Sequence, residues 1–175
     1  MGIKRIGFGG GCHWCTEAVF SSLKDVVQVE QGFINSREEP AFSEAVIVHY
    51  DSQVISLKDL VEIHLYTHKS TSDHSMRTKY RSAVYALDSD DFEESTQLLN
   101  EFQKVFENKL ITVVHNFHSF KPSLEQFHDY YYTDSEKPFC TTYIAPKLSL
   151  LLKKYGKFTD TGKVKASISP KATSK

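Results

Sequence analysis

Only three of the 175 residues are cysteine, and so small and odd a set excludes the disulfide-stapled framework of a small secreted domain. Two of them, Cys12 and Cys15, are too close in sequence for a structural staple, so reduced thiols with a chemical role are expected. Long apolar runs are also missing. None nears the roughly 18 residues that a membrane helix needs, and MGIKRIGF is too short and too soon polar for a secretory leader. A cytoplasmic chain with no membrane partner is therefore expected. Net charge is lacking too: 21 basic against 22 acidic residues leave −1, which offers a nucleic acid no basic face. Tryptophan occurs once, at position 14, and no internal repeat is visible, which excludes solenoids and arrays.

What is present suits one domain with a sizeable core, and a monomer is expected. Twelve Phe and nine Tyr suit a compact interior with an aromatic-lined pocket. Five of the eight glycines fall within the first eleven residues and lead into GCHWCTEAVF. Residues 3 to 8 alternate as a short strand, and the glycine run then forces a turn. Val19, Phe20 and Leu23 have helical spacing, so Cys12 should stand at a helix N-terminus. VVQVEQGFI (26 to 34) and EAVIVHY (44 to 50) read as strands. Ser56 with Asp59 forms a capping box for an amphipathic helix through Leu65. YRSAVYAL (80 to 87) is a strand, Ser89 begins a helix striped by Phe92, Leu99, Phe102 and Phe106, and LITVVHNF (110 to 117) is another strand. Pro122 and Pro146 each open a helix, the second closed by Gly156.

The order strand-helix-strand-strand-helix-strand, with further helices and one strand appended, predicts an α/β (α+β) fold. It is a two-layer plait: a mixed sheet with a split βαβ core and helices packed on it. Residues 1 to 156 form the expected catalytic domain. Residues 157 to 175, with five lysines and few large apolar groups, read as a disordered basic tail.

A thiolate is the reactive form of cysteine, and a helix N-terminus favours it through the dipole and free N–H groups. The glycines before Cys12 permit a close approach to backbone, and Trp14 supplies a flat apolar wall. Taken alone, C-x-x-C spacing also fits thioredoxin-like enzymes and zinc sites.

The string GCHWCTE resembles the G-C-F-W-x-x-E signature of the A-type peptide methionine sulfoxide reductases, with Gly11, Cys12, Trp14 and Glu17 matching and His13 in place of Phe. EAVIVHYD (44 to 51) is similar to the family's E-A-V-x-V-x-Y-D. KYRSAVY (79 to 85) resembles Q-Y-R-S-A-I-Y, and HDYYYTDSEKPFC (128 to 140) resembles the H-Q-x-Y…Y-C stretch, with IAPKL following. The matches run in order from residue 6 to about 155.

This resemblance implies repair of methionine sulfoxide, free or in proteins, and specifically of its S-epimer. Cys12 would attack the sulfoxide sulfur, Glu44 would donate a proton to the oxygen, and Tyr80 would hydrogen-bond that oxygen. A carboxylic acid in an aromatic, poorly hydrated pocket suits the donor role. Trp14 would pack on the substrate methyl, with His13 and Asp73 completing the substrate-binding set. The Cys12 sulfenic acid would condense with a second thiol, and a thioredoxin-like reductant would reopen the disulfide. Cys140 and Cys15 both remain candidates for that second thiol, with a slight preference for Cys140. No cofactor and no metal is called for.

The sequence departs from the family pattern in places. The loop from Gly32 to Glu44 is about eleven residues short by the motif register, and the tyrosine it usually carries has no counterpart; Phe42 is left in its space without a hydroxyl. An ungapped register from Tyr80 places Ser75, not Asp73, at the family's pocket aspartate. Two rival functions stand beside the repair enzyme: a general thiol-disulfide oxidoreductase using Cys12 and Cys15, and a non-enzymatic zinc or redox-sensing module. His64 and His68, four apart on one helix, have metal-like spacing but lack an accompanying acid.

Overall fold

The computed structural model describes residues 2–168. Strand β1 (Ile3–Gly9) runs into the glycine turn and helix α1 (His13–Ser21), followed by β2 (Val26–Ser36), β3 (Ser43–Asp51) and α2 (Leu57–Thr67). Next come β4 (Ala83–Ala86), α3 (Ser89–Gln103), β5 (Val113–Pro122), a one-turn α4 (Tyr130–Thr133), α5 (Ala145–Tyr155) and α6 (Thr161–Ile168). The α2 start is as expected: Ser56 and Asp59 exchange backbone and side-chain bonds in a capping box.

The strands pair in the order β4-β1-β3-β2, the order of the plait, through antiparallel ladders. The appended β5 pairs antiparallel with β2 and parallel with β4, which closes the sheet into a five-stranded barrel. The sheet is thus mixed, with helices packed on it, as the sequence leads one to expect. Phe8 stacks on Phe20 of α1 at 4.7 Å, and the main core lies between this face and α1, α2 and α5. Ile34, Ala45, Ile47, Ala83 and Tyr85 fill a second, smaller cluster.

Four segments differ from the sequence reading, three of them around the sheet. β4 is shorter than 80 to 87, because the backbone of Lys79 and Arg81 is taken by β3: the Glu44 amide donates to the Lys79 carbonyl at 3.0 Å and the Arg81 amide to Ser43 Oγ at 2.8 Å. β5 starts later and runs on to Pro122, since Phe120, Lys121 and Pro122 pair with Ile34, Phe33 and Gly32. Pro122 therefore ends a strand rather than opening a helix, and only a 3-10 turn (Glu125–Phe127) and α4 follow.

Residues 157 to 168, expected as part of a disordered tail, are folded. The Asp160 amide donates to the Ser22 carbonyl, Leu23 pairs with Thr159, and Val164 is fully buried. One apolar residue at the right place anchors a short helix that composition alone reads as solvated. The rest of that tail, 169–175, lies outside the described residues.

Candidate active site

The glycine turn fixes where α1 begins. A Cβ on Gly10 would stand 2.5 Å from the His68 ring, whereas one on Gly11 would meet nothing within 4 Å. Gly10 thus allows the turn to lie against α2, and Gly11 leaves open space beside the thiol. Cys12 is the N-cap residue, half-buried, its carbonyl accepting from Cys15 and Thr16 at 3.0 and 3.2 Å.

The sulfur of Cys12 accepts from the Cys15 thiol and from backbone N–H groups of α1. These bonds, the Cys15 thiol first, hold the Cys12 thiol below its usual range against burial and the nearby Glu44 carboxylate. The same hydrogen bond, helped by burial, pushes Cys15 far above the usual thiol range. Of the pair, Cys12 is therefore the thiolate and Cys15 the proton-bearing neighbour. Cys140, in the π-helical turn Cys140–Ile144 that leads into α5, is fully buried, and burial raises its thiol.

Cys12 opens onto a cavity of about 370 Å³, mostly apolar, whose walls include Met76, Tyr80, Phe139 and Tyr143. Lys147, on α5, reaches its inner side and donates to the Thr67 carbonyl; burial lowers its ammonium while Cys15 opposes that. Arg77 ties the wall together. Its guanidinium donates to the carbonyls of Gly10 and Tyr80 at 2.8 Å each, Ser72 at 2.8 Å and Lys69 at 2.6 Å. Four carbonyls on one guanidinium clamp the 69–80 segment to the glycine turn.

Glu44, on β3, is 7% exposed and accepts the His13 backbone N–H at 3.1 Å. The His13 ring Nε2 stands 3.6 Å from Oε1 and Lys79 Nζ 3.6 Å from Oε2. Lys79 Nζ also stands 5.2 Å from the centre of the Tyr80 ring, and Tyr80 and Glu44 together raise its ammonium. Lys79 thus lies between the two groups expected to act on the sulfoxide oxygen, a position that sequence reasoning missed because Lys79 stands where the family pattern has Gln.

Trp14 is placed differently from a free substrate wall. Tyr130 stacks on its indole at 4.0 Å and Phe139 meets it edge-on at 5.4 Å. Phe139, rather than Trp14, lines the cavity. Glu17 holds Tyr130 there: its carboxylate accepts from the Asp129 and Tyr130 amides at 2.8 and 3.2 Å and from Gln31 at 2.8 Å. Asp129 adopts a left-handed φ of 55°, a conformation uncommon outside glycine, at this turn.

The remaining expected residues fall elsewhere. Asp73 is exposed and lines a separate surface depression with Arg77, Arg81 and His115, not the Cys12 cavity. Phe42 is 43% exposed and does not reach the cavity either. His64 and His68 do line it, but their Nε2 atoms bond the Gly9 carbonyl at 2.7 Å and Ser82 Oγ at 2.8 Å. Among the described residues no group of three or more His, Cys, Asp or Glu side chains is placed to hold a metal ion.

A thiolate that can lose two electrons, with a second thiol already bonded to it, can be oxidised by a substrate and restored by thiol exchange. That is the working of a thiol-dependent oxidoreductase. The family model for peptide methionine sulfoxide reductase matches residues 4–159, and the chain belongs to that family. It reduces methionine sulfoxide by thiol chemistry. A peptide methionine sulfoxide reductase from Campylobacter jejuni is 29% identical over 160 residues, covering 83% of this chain and 96% of the relative. Mxr1 from Saccharomyces cerevisiae in reduced form shares the fold, with TM-score 0.72 and 24% identity over 81% of this chain and 91% of that one. Mxr1 in complex with Trx2 matches with TM-score 0.60 and 25% identity, covering 74% and 85%. No helix among the described residues is long and apolar enough to cross a membrane.

Proposed function

We propose that the chain reduces methionine (S)-sulfoxide, free or in proteins, by attack of the Cys12 thiolate on the sulfoxide sulfur. The observation that carries this reading is the Cys12 sulfur itself: lowered in pKa, half-buried, and open to an apolar cavity large enough for a thioether side chain. Glu44 supplies a proton to the sulfoxide oxygen, and the Tyr80 phenol donates a hydrogen bond to it. Phe139, backed by Trp14 and Tyr130, walls the methyl group.

Two electrons pass from the Cys12 sulfur to the sulfoxide sulfur. The S–O bond breaks, methionine leaves, and Cys12 carries the hydroxyl as a sulfenic acid. A second thiol then displaces that hydroxyl as water and forms a disulfide. Cys15 is the resolving thiol in this reading, ahead of Cys140, to which the sequence reading leans slightly and which the resemblance does not settle, because the Cys15 thiol is the foremost influence on Cys12. Cys140 then serves as a buried reserve. A thioredoxin-like dithiol reopens the bridge, supported by the complex that Mxr1 forms with Trx2. The chain acts as a monomer in the cytoplasm.

The test is methionine formation from each purified epimer in a single turnover, without reductant, by wild type, Cys12→Ser, Cys15→Ser and Cys140→Ser. Consumption of the S-epimer alone, lost only in Cys12→Ser, is the expected result. Reaction of the R-epimer, or full activity in Cys12→Ser, overturns it.

A further inference from the structure

We propose that His13 and Glu44 work as a dyad that shares one proton and delivers it to the sulfoxide oxygen, which makes His13 a positioning residue for the acid step. This rests on the reading of Glu44 as the proton donor.

The tautomer is fixed by geometry. His13 Nδ1 lies 2.7 Å from the Gly32 carbonyl oxygen, which can only accept, so Nδ1 carries the hydrogen. In the neutral ring Nε2 is then a bare lone pair. It faces Glu44 Oε1 at 3.6 Å, with both side chains less than one-tenth exposed. Two acceptors facing each other out of water repel, and one proton between them relieves that. A small ring movement closes the gap to hydrogen-bond range. The same residue also donates its backbone N–H to Oε1 at 3.1 Å, so carboxyl and ring hold a fixed relation.

Charges of both signs surround the pair, and Lys79, 3.6 Å from Oε2, attracts a carboxylate there. From α1, the Cys12 thiolate disfavours a second negative charge at Glu44. Lys79, from the segment before β4, stands 3.6 Å from Oε2 but is over half exposed, and it and His128 both disfavour a charged His13 ring. β2 offers the Gly32 carbonyl on Nδ1 and the Phe33 ring, 5.2 Å from the imidazole, and no charge. Burial, foremost, holds the His13 ring below the usual imidazole range, against the Gly32 carbonyl and Glu44. The shared proton lies between Glu44 Oε1 and His13 Nε2, the ring nitrogen left free by the Gly32 bond. As the Cys12 sulfur bonds the sulfoxide sulfur, this proton moves to the sulfoxide oxygen, and the pair regains one from solvent.

The family signature has Phe at this position, so His13→Phe keeps an aromatic ring there but removes both Nε2 and the Nδ1–H that bonds the Gly32 carbonyl. Single-turnover rates across pH for wild type, His13→Phe and Glu44→Gln test the dyad. The ratio of wild-type to His13→Phe rate should grow about tenfold between about pH 6 and about pH 8, the equivalent of one pH unit in proton retention. The ratio cancels the ionisation of Cys12. A constant ratio overturns the dyad. If Glu44→Gln retains the full rate, the donor reading itself fails; if Glu44→Gln is inactive while the ratio stays constant, only the dyad fails. Should His13→Phe not fold, 15N-histidine spectra of wild type and Glu44→Gln decide. The expected His13 Nε2 titration has two steps in wild type and one in Glu44→Gln; one step with the same midpoint in both contradicts the proposal.

Discussion

Replacing Cys15 by Ala removes the group that does most to hold Cys12 as a thiolate. The Cys15 thiol is the foremost cause of the lowered Cys12 value, and burial, which acts the other way, stays in place. A hydrogen bond to a charged group contributes about 1.5–3 kcal/mol, a loss of roughly 10- to 100-fold in thiolate population at fixed neutral pH. The rarer thiolate is also the more nucleophilic, with a Brønsted coefficient of about 0.4–0.5, so the net fall in alkylation rate is about 3- to 16-fold. Iodoacetamide labelling of Cys12, followed by mass spectrometry at several pH values, reads this directly. Cys140 is fully buried and should label far more slowly, so it serves as an internal reference. Labelling at Cys15→Ala equal to wild type, with the same pH midpoint, would refute the claim that Cys15 donates to Cys12.

His64 is held neutral in the fold, its imidazole lowered to about 4 by burial, against 6.5 when free. The unfolded chain therefore binds the extra proton first: stability is present above pH 6.5 and lost as pH falls toward about 4, by about 3 kcal/mol. His64→Gln, which can still donate to the Gly9 carbonyl, should flatten that loss in urea denaturation at stepped pH. Glu17 has the opposite sign, because burial raises its carboxyl above 4.5. Its contribution is full below that value and lost as pH rises through the folded value; Glu17→Gln should remove this slope, and loss of its bonds to the 129–130 turn should cost about 1–3 kcal/mol. Gly10→Ala should destabilise by about 1–3 kcal/mol through its clash with His68, whose ring is tied to Ser82. Gly11→Ala, with nothing within 4 Å, should leave stability within about 0.5 kcal/mol yet raise KM, since its methyl enters the space beside Cys12.

Local signals in the sequence place much of this fold. The capping box at Ser56 and Asp59 forms as written, and the glycine run followed by a helical apolar pattern puts Cys12 at the N-cap of α1. Where partners are distant in sequence the signal fails. Pro122 reads as a helix start because nothing local tells that Gly32 will pair with it. Val164 and Thr159 anchor the segment after Tyr155 to the end of α1, a contact that composition cannot carry.

The same holds at the site. Cys12 and Tyr80, both named by the motif resemblance, line one cavity, while Glu44 on β3 meets the start of α1 through the His13 amide without lining that cavity. The supporting residues are invisible to the resemblance. Lys79 lies between Glu44 and the Tyr80 ring, Arg77 clamps the cavity wall through four carbonyls, and Tyr130 covers the Trp14 face that the sequence offers to substrate. Asp73 shows the reverse error. Its type fits a pocket role, yet the 69–80 segment turns it to the surface.

The most direct measurement of the central claim is the yield of methionine per chain from the S-sulfoxide without reductant, with free thiols counted before and after. The protein begins with three free thiols. The account predicts methionine formation with Cys12 and Cys15 joined in a disulfide and Cys140 still free. In Cys15→Ser it predicts a sulfenic acid at Cys12 that dimedone captures. No methionine, or methionine formed with all three thiols unchanged, would contradict it.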